Sequence, residues 1–399
     1  MLSVQVAEGE RALAALAAEW EELIGNSFAS IFCHPGWYQA YLDGFSVGKV
    51  VIVIAREHNR LVGVLPLARV RADANGLYFR QITPFARGDY QPPIVAAGRA
   101  TSALPRMLDA AFEYFGRGAF SWANIPANDA SLKTLRDFFH SRGMPCIEER
   151  DVSPRLCLGG RDFESVERTW SASHRNDIRR QRKRLAQHGP VSLWLPETLD
   201  QADLVLTEFF RVHDEKWLTQ GFPAMFHLPC RQRQFRALLR GFWNRGLHFS
   251  TLRCGETDVS YNFGFLTGGW VHWYRPSFRS EFGAYSPGKV HLALLVEEAC
   301  RQRWHGVDFL LGQEHYKSLW ANDSLEVVSL NAAVHSWAPS HLWFSRGKNF
   351  VKRRPGVASM RTSILHAQAW LQKQRFRFER PAGLEAPARV SRAAKKAAS

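Results

Sequence analysis

The chain has 399 residues, 46% hydrophobic and 13% aromatic, with a formal net charge of +15. That length suits about two packed domains, no apolar run approaches the roughly 18–20 residues of a membrane span, and Met1–Glu10 lacks the basic and apolar regions of a secretory signal. The charge is uneven: 14 Lys/Arg stand against two Glu from Arg346 onward, seven against Asp177 over Arg168–Arg184, and the rest is near neutral, which excludes a uniformly basic surface and points to anionic partners at one helix and one tail.

In chain order, Pro35–Phe45 has helical spacing. Val50–Ala55, Leu61–Val70 and Leu77–Ile82 read as strands, with turns at Glu57–Arg60 and Asp73–Gly76. A loop containing Asp89-Tyr90-Gln91-Pro92-Pro93 leads to a predicted helix at Leu104–Phe115 and a strand at Ala119–Ile125. Trp170–Leu185 reads as a helix capped by Ser171 or Ser173. Ile178 and Leu185 lie two turns apart on it, so a narrow face docks and the arginines stand outside.

The second half repeats the order. Arg231–Trp243 is predicted helical, and strands follow at His248–Cys254, Val259–Leu266 and Trp270–Tyr274. The middle one alternates, with Val259, Tyr261, Phe263 and Phe265 on one face and Ser260, Asn262 and Gly264 on the other. The turn Tyr285-Ser286-Pro287-Gly288-Lys289 opens a helix over Val290–Arg303, where Leu292, Leu295, Val296 and Ala299 recur at helical spacing. A buried strand is predicted at Val307–Leu311, followed by Gly312 and Tyr316-Lys317.

Helix, three-strand meander, helix, strand: the unit occurs twice with little residue identity, which predicts a duplicated α+β architecture. The expected division is 1–150, 151–345, and a basic tail 346–399, partly helical and then disordered. Only the second copy runs a Ser-Pro-Gly turn straight into its helix, whose free N–H groups favour an anion. The second copy is therefore expected to bind a phosphate, and the first to help hold a second substrate. The six cysteines are scattered without a C-x-x-C pair and read as reduced, mostly buried thiols of a cytosolic protein. No metal site is expected, since the 15 histidines include no H-E-x-x-H or His/Cys cluster. There is no G-x-S-x-G, Walker or dinucleotide motif.

Tyr285-Ser286-Pro287-Gly288, the Asp308 strand ending in Gly312, and Tyr316-Lys317 followed by Trp320 resemble the core of GNAT-fold acyltransferases of the CelD type. Those are linked to cellulose and exopolysaccharide genes and distantly related to the FemAB transferases. The basic helix, His34-Pro35-Gly36-Trp37, Val64-Leu65-Pro66-Leu67 and Asp89-Tyr90 are similar to that group's other patterns, so the resemblance spans about Phe32 to Val334. It implies two tandem GNAT-like domains, each a mixed or antiparallel sheet with flanking helices. It also implies transfer of an acyl group, acetyl for instance, from acyl-CoA to an amine or hydroxyl of a polysaccharide or cell-envelope precursor. The donor pyrophosphate would lie on Ser286, Pro287, Gly288 and Lys289, with its carbonyl on a backbone N–H of a splayed strand. The turn has one glycine beside a proline where the usual signature has several glycines, so aminoacyl-tRNA, the donor of the FemAB group, stays open beside acetyl-CoA.

The resemblance places Lys317 near the donor carbonyl, where a cation stabilises the developing oxyanion. As an exposed lysine it should contribute little to stability. Tyr316 either protonates the leaving thiol or packs. Asp308, inside an apolar strand, is ion-paired or serves as base or orienting group. Glu314 is a second candidate base. Tyr274, with Trp273, lines the pantetheine channel or the core. Asp89, Tyr90 and Trp37 face the acceptor from the first half. Arg175 heads a cluster that binds an anionic acceptor or RNA, or is simply a solvated face. The remaining alternative is a non-catalytic binder of nucleic acid or of an anionic membrane surface.

Overall fold

In the first half the chain runs β1 (Leu2–Glu8), α1 (Glu10–Gly25), α2 (Pro35–Gly44), β2 (Val50–Glu57), β3 (Arg60–Ala74), β4 (Leu77–Pro84), β5 (Ile94–Val95), α3 (Ala100–Phe115), β6 (Ala119–Pro126), α4 (Ala130–Ser141) and β7 (Cys146–Cys157). The second half runs α5 (Phe163–Arg168), α6 (Ala172–Leu185), β8 (Val191–Trp194), α7 (Leu199–Thr219), α8 (Pro229–Phe242), β9 (Leu247–Cys254), β10 (Thr257–Thr267), β11 (Trp270–Phe278), α9 (Pro287–Arg301), β12 (Gly306–Asp308), α10 (His315–Ser318) and β13 (Asp323–Ala332). The computed structural model describes residues 1–25, 31–74, 77–116, 118–312 and 314–332. The tail expected at 346–399 lies outside them. No described helix is long and apolar enough to cross a membrane.

The strands form one mixed sheet in the order β1-β2-β3-β4-β6-β13-β7-β12-β11-β10-β9-β8, with β5 paired to β3. The order and the pairing senses read alike from both ends. The parallel pairs are β4 with β6 and β11 with β12, and the other neighbours are antiparallel. Each half lends its last strand to the other: β7 lies between β13 and β12, and β13 between β6 and β7. Residue 150 falls inside β7, which pairs with β13 from Asp323↔Arg155 to Ala332↔Cys146.

Helices cover both faces. Leu13, Leu16 and Trp20 of α1, Trp37 and Tyr38 of α2, Phe209 of α7 and Phe235 of α8 bury one continuous apolar cluster across both halves. Gly44 lets α2 meet α8, because a Cβ there would lie 2.8 Å from the Cys230 carbonyl oxygen. On the other face α3 and α4 cover the first half, and α9, backed by Trp170 and Ile178, covers the second.

Local chemistry accounts for several elements. Ser171 caps α6 by accepting the His174 N–H at 3.2 Å, and the buried His174, Ile178, Gln181 and Leu185 form its narrow docking face. The alternation in β10 holds from Tyr261 to Phe265, which join the α7–α8 cluster. Val259 instead packs with Leu185 and Val290, because the β9–β10 register shifts between Asp258 and Ser260. The strand expected over Val307–Leu311 stops at Asp308, since Leu310 takes a left-handed conformation with φ 59°. The cysteine expectation is corrected: Cys33 and Cys254 are buried, Cys146 is exposed, and Cys157, Cys230 and Cys300 are partly exposed.

Candidate active site

The parallel pairing of β11 with β12 ends at His272↔Asp308. Beyond that pair β11 runs on toward α9, while the other chain turns through Leu310 and through Gly312 at φ 117° into α10. β11 is also bulged. Its pairing with β10 passes from Phe263↔Arg275 to Phe265↔His272, so Trp273 and Tyr274 stand opposite Gly264 alone. A bulge of this kind leaves one residue outside the ladder and turns its backbone away from it. Gly264 permits the bulge: a Cβ there would meet the His272 carbonyl oxygen at 2.4 Å and Asn262 Nδ2 at 2.5 Å. Gly264→Ala is accordingly expected to destabilise the fold by about 1–3 kcal/mol through overpacking, readable as a lowered urea midpoint. An unchanged midpoint would show that the bulge tolerates a Cβ.

Asp89, in the loop after β4, reaches this opening from the first half. Burial pushes its carboxyl pKa up, against the opposing charges of Arg275 and Lys317 and with the charge of Asp308 adding to the rise; the Leu311 backbone also hydrogen-bonds to it. Arg275 lies over the Tyr274 ring, 4.6 Å from its centroid, and its Nε has no partner among the described residues.

Lys317 is buried, 4% exposed. Its ammonium donates to the carbonyl oxygens of Leu311 at 2.8 Å and Leu310 at 3.3 Å, and pairs with Glu314 Oε2 at 2.8 Å. The expectation of an exposed lysine indifferent to stability is therefore corrected, because it ties down the turn after β12. Glu314, mostly exposed, folds back over Gly312, where a Cβ would lie 2.4 Å from Oε2. The Tyr316 hydroxyl is hydrogen-bonded to Trp273, and its pKa is raised chiefly by burial, with the Glu314 charge adding to the rise.

Asp308 is 1% exposed and saturated with donors. Its oxygens lie 2.8 and 2.9 Å from the Tyr90 hydroxyl, and it accepts from Ser153 Oγ at 3.1 Å, Arg155 Nε at 2.8 Å and the Leu310 N–H at 2.9 Å. Those contacts occupy the directions a carboxylate offers, and leave none for a substrate proton. His272 is stacked on Phe32 with centroids 6.1 Å apart, and burial lowers its pKa.

Two expected acceptor contacts are corrected, and a third residue has partners within the fold. Tyr90 is buried and turned to Asp308, so it cannot face a substrate. Trp37 is buried as well: it packs on Tyr274 with centroids 5.7 Å apart and donates its indole N–H to the Arg87 carbonyl at 3.1 Å. The Arg175 guanidinium is bound to the carbonyl oxygens of Trp170 and Arg168, the latter at 3.3 Å, and so closes the end of α5. Other arginines of α6 are partnered within the fold: Arg179 with Glu167, Arg180 with Asp177 and Arg182 with Glu297.

At the C-terminal end of β11 the chain enters α9 through Ser286, left-handed at φ 48°, with Pro287 in the first turn. The Ser286 carbonyl takes up the N–H groups of Lys289 at 2.9 Å and Val290 at 3.3 Å. Space stays open above Gly288, where a Cβ would meet only Phe278 at 3.7 Å. Cations surround this turn. Lys289 pairs with Asp177, Arg184 donates to the Ala284 carbonyl at 3.0 Å, and Lys216 lies 4.4 Å from the centroid of the Phe278 ring. Burial alone lowers the Lys216 pKa to about 8.

Sequence reasoning missed Arg275, Ser153, Arg155 and the bulge. A Gly in mid-strand at 264 was the available signal for the bulge. Nothing local marked residues 153–155, whose role depends on where β7 lies.

Comparison with known proteins adds three findings. Residues 172–318 match the sequence model of the acetyltransferase (GNAT) domain family. Comparison with curated proteins gives no match. Among solved structures the fold is similar to FemX (TM-score 0.59, 10% identity, covering 85% of this chain and 100% of that one). It is also similar to the C-terminal DUF2156 domain of a protein described as a lysylphosphatidylglycerol synthetase from Agrobacterium fabrum (TM-score 0.52, 10% identity, 84% and 96%), and to a conserved protein of unknown function from Bacteroides thetaiotaomicron (TM-score 0.51, 13% identity, 83% and 100%).

Proposed function

We propose, from the GNAT-type acyltransferase domain that residues 172–318 carry, that the protein moves an acyl group directly from an acyl-CoA, acetyl-CoA being the simplest, to an amine or hydroxyl of a saccharide or cell-envelope precursor. The observation that carries this reading is the charge environment that Asp89 shares with Lys317 and Arg275, beside the bulge at Trp273 and Tyr274 where the β11–β12 pairing ends. In this reading the first half, about 1–150, presents the acceptor, and the second, 151–345, holds the donor.

The roles follow from chemistry. An amine attacks a thioester only after losing its proton, and Asp89, with its pKa raised, is a stronger base than an ordinary carboxylate. The backbone freed by the bulge and the Lys317 ammonium lie where negative charge grows on the thioester oxygen. The Glu314 leg of that ammonium, at the surface, is the one a substrate oxygen can replace. As the carbon–sulfur bond breaks, the leaving sulfur accepts the Tyr316 hydroxyl proton, and the tyrosine is reprotonated from water. The turn at Ser286–Lys289 fits a diphosphate through the open space above Gly288 and the cations Arg184 and Lys216.

The test is release of thiol from acetyl-CoA and longer acyl-CoA esters in the presence of amino-sugar and sugar acceptors, together with melting shifts. Stabilisation by CoA thioesters and acceptor-dependent thiol release are expected. Stabilisation by aminoacyl-tRNA alone would overturn the donor assignment. Gly288→Val should fold normally and weaken acetyl-CoA binding about tenfold or more by blocking close approach of the phosphate, measured by calorimetry. Unchanged affinity in a folded variant would remove this turn from the donor site.

A further inference from the structure

We infer that Arg155 and Asp308 are positioning residues for Asp89, and that the strand β7, lent by the first half to the sheet of the second, is the part that sets the base against the donor side. The inference rests on the reading of Asp89 as the base.

The geometry is a clasp between the halves. Tyr90, the neighbour of Asp89, places its hydroxyl 2.8 and 2.9 Å from the two oxygens of Asp308 on β12. β7 adds Ser153 Oγ at 3.1 Å and Arg155 Nε at 2.8 Å to the same carboxylate. Arg155 in turn lies over the rings of Tyr90 and Trp270, 5.6 and 5.0 Å from their centroids. Asp308 also accepts the N–H of Leu310, whose carbonyl receives Lys317, and Phe309 donates its N–H to the Pro154 carbonyl of β7 at 3.1 Å. One buried carboxylate thus fixes the loop that carries Asp89 and the turn whose carbonyls hold the Lys317 ammonium. A displacement of about 1 Å between two reacting groups can cost on the order of 100-fold in rate.

The clasp is also an electrostatic setting. The charges acting on Asp89 are Arg275 from β11, Lys317 from α10 and Asp308 from β12, with the Leu311 N–H beside them. Glu314 acts on Arg275, and Arg155 balances Asp308. Removing the Asp308 charge should make Asp89 easier to ionise. Removing the Arg155 charge should expose Asp89 to an uncompensated Asp308 and make it harder to ionise.

The experiment is the pH profile of kcat/KM for acyl transfer in wild type, Asp308→Asn, Arg155→Gln, Tyr90→Phe and Asp89→Asn, each checked by its melting midpoint. Expected are an acid limb moved to lower pH in Asp308→Asn and to higher pH in Arg155→Gln, and kcat lowered about tenfold or more in Tyr90→Phe with KM for the donor little changed. Limbs that stay put, or move the same way, in folded variants would overturn the clasp, as would full kcat in Tyr90→Phe. Should Asp308→Asn fail to fold, Arg155→Gln and Tyr90→Phe, which leave the carboxylate in place, carry the test. Activity that survives in Asp89→Asn would overturn the proposed base itself, a result distinct from failure of the clasp.

Discussion

Asp89→Asn is expected to lower kcat by about 100- to 10,000-fold, the range for loss of a general base, while raising stability at neutral pH. The two effects share one cause. Burial raises the Asp89 pKa above the ordinary carboxylate value, so the folded state disfavours the ionised form. The cost of that ionisation is absent below the unfolded pKa, grows as pH rises toward the folded pKa, and is complete above it. Asparagine keeps the shape and removes the charge, so the variant should unfold at a higher temperature than wild type at pH 7, with the gap closing as pH falls below the carboxylate range. Melting curves at several pH values, beside steady-state kinetics, check both halves. A folded variant with wild-type turnover would return the base role to Glu314, and a loss of stability at pH 7 would mean that Asp89 chiefly partners Arg275 and Lys317.

Lys317→Ala is expected to lower kcat by about 100- to 1,000-fold, the scale of one oxyanion donor, with donor KM changed far less. It should also cost about 1–3 kcal/mol of stability, because the Leu310 and Leu311 carbonyl oxygens lose their partner. Lys317→Met separates the contributions: it restores much of the volume and none of the charge, so its midpoint should recover further than its turnover. Lys317→Arg should rescue poorly, since a planar guanidinium does not fit a buried site shaped around an ammonium on two carbonyls. Denaturant midpoints and single-turnover rates of the three variants are the measurement. Variants that lose stability and keep full activity per folded molecule would make Lys317 a purely structural clamp.

Much of the fold is written in local sequence. Tyr261, Phe263 and Phe265 declare a strand with one apolar face, and Ser171 with its spaced Ile178 and Leu185 declares a capped helix with a narrow docking face. Ser286-Pro287-Gly288 declares the start of α9, where proline costs no hydrogen bond. The repeated order of helices and strands is legible for the same reason, while acyl transfer came only from what the family resemblance implies. Each signal is a period or a cap that acts within a few residues.

What the sequence could not carry is set by contacts far apart in the chain. β7 lies between β13 and β12, both far along the chain from it, and only that placement brings Ser153 and Arg155 to Asp308. Tyr90 and Trp37 looked available to a substrate because a side chain's exposure depends on what packs over it, and in the fold Asp308 and Tyr274 do so. Lys317 looked like a surface residue because helical position says nothing of the carbonyls a turn presents to it. Sequence by itself determined most of the elements and their repeated order. The tertiary structure decided which of those residues are buried and that Asp89 of one half shares a charge environment with Lys317 of the other, because burial and electrostatic coupling are properties of neighbours that only folding assembles.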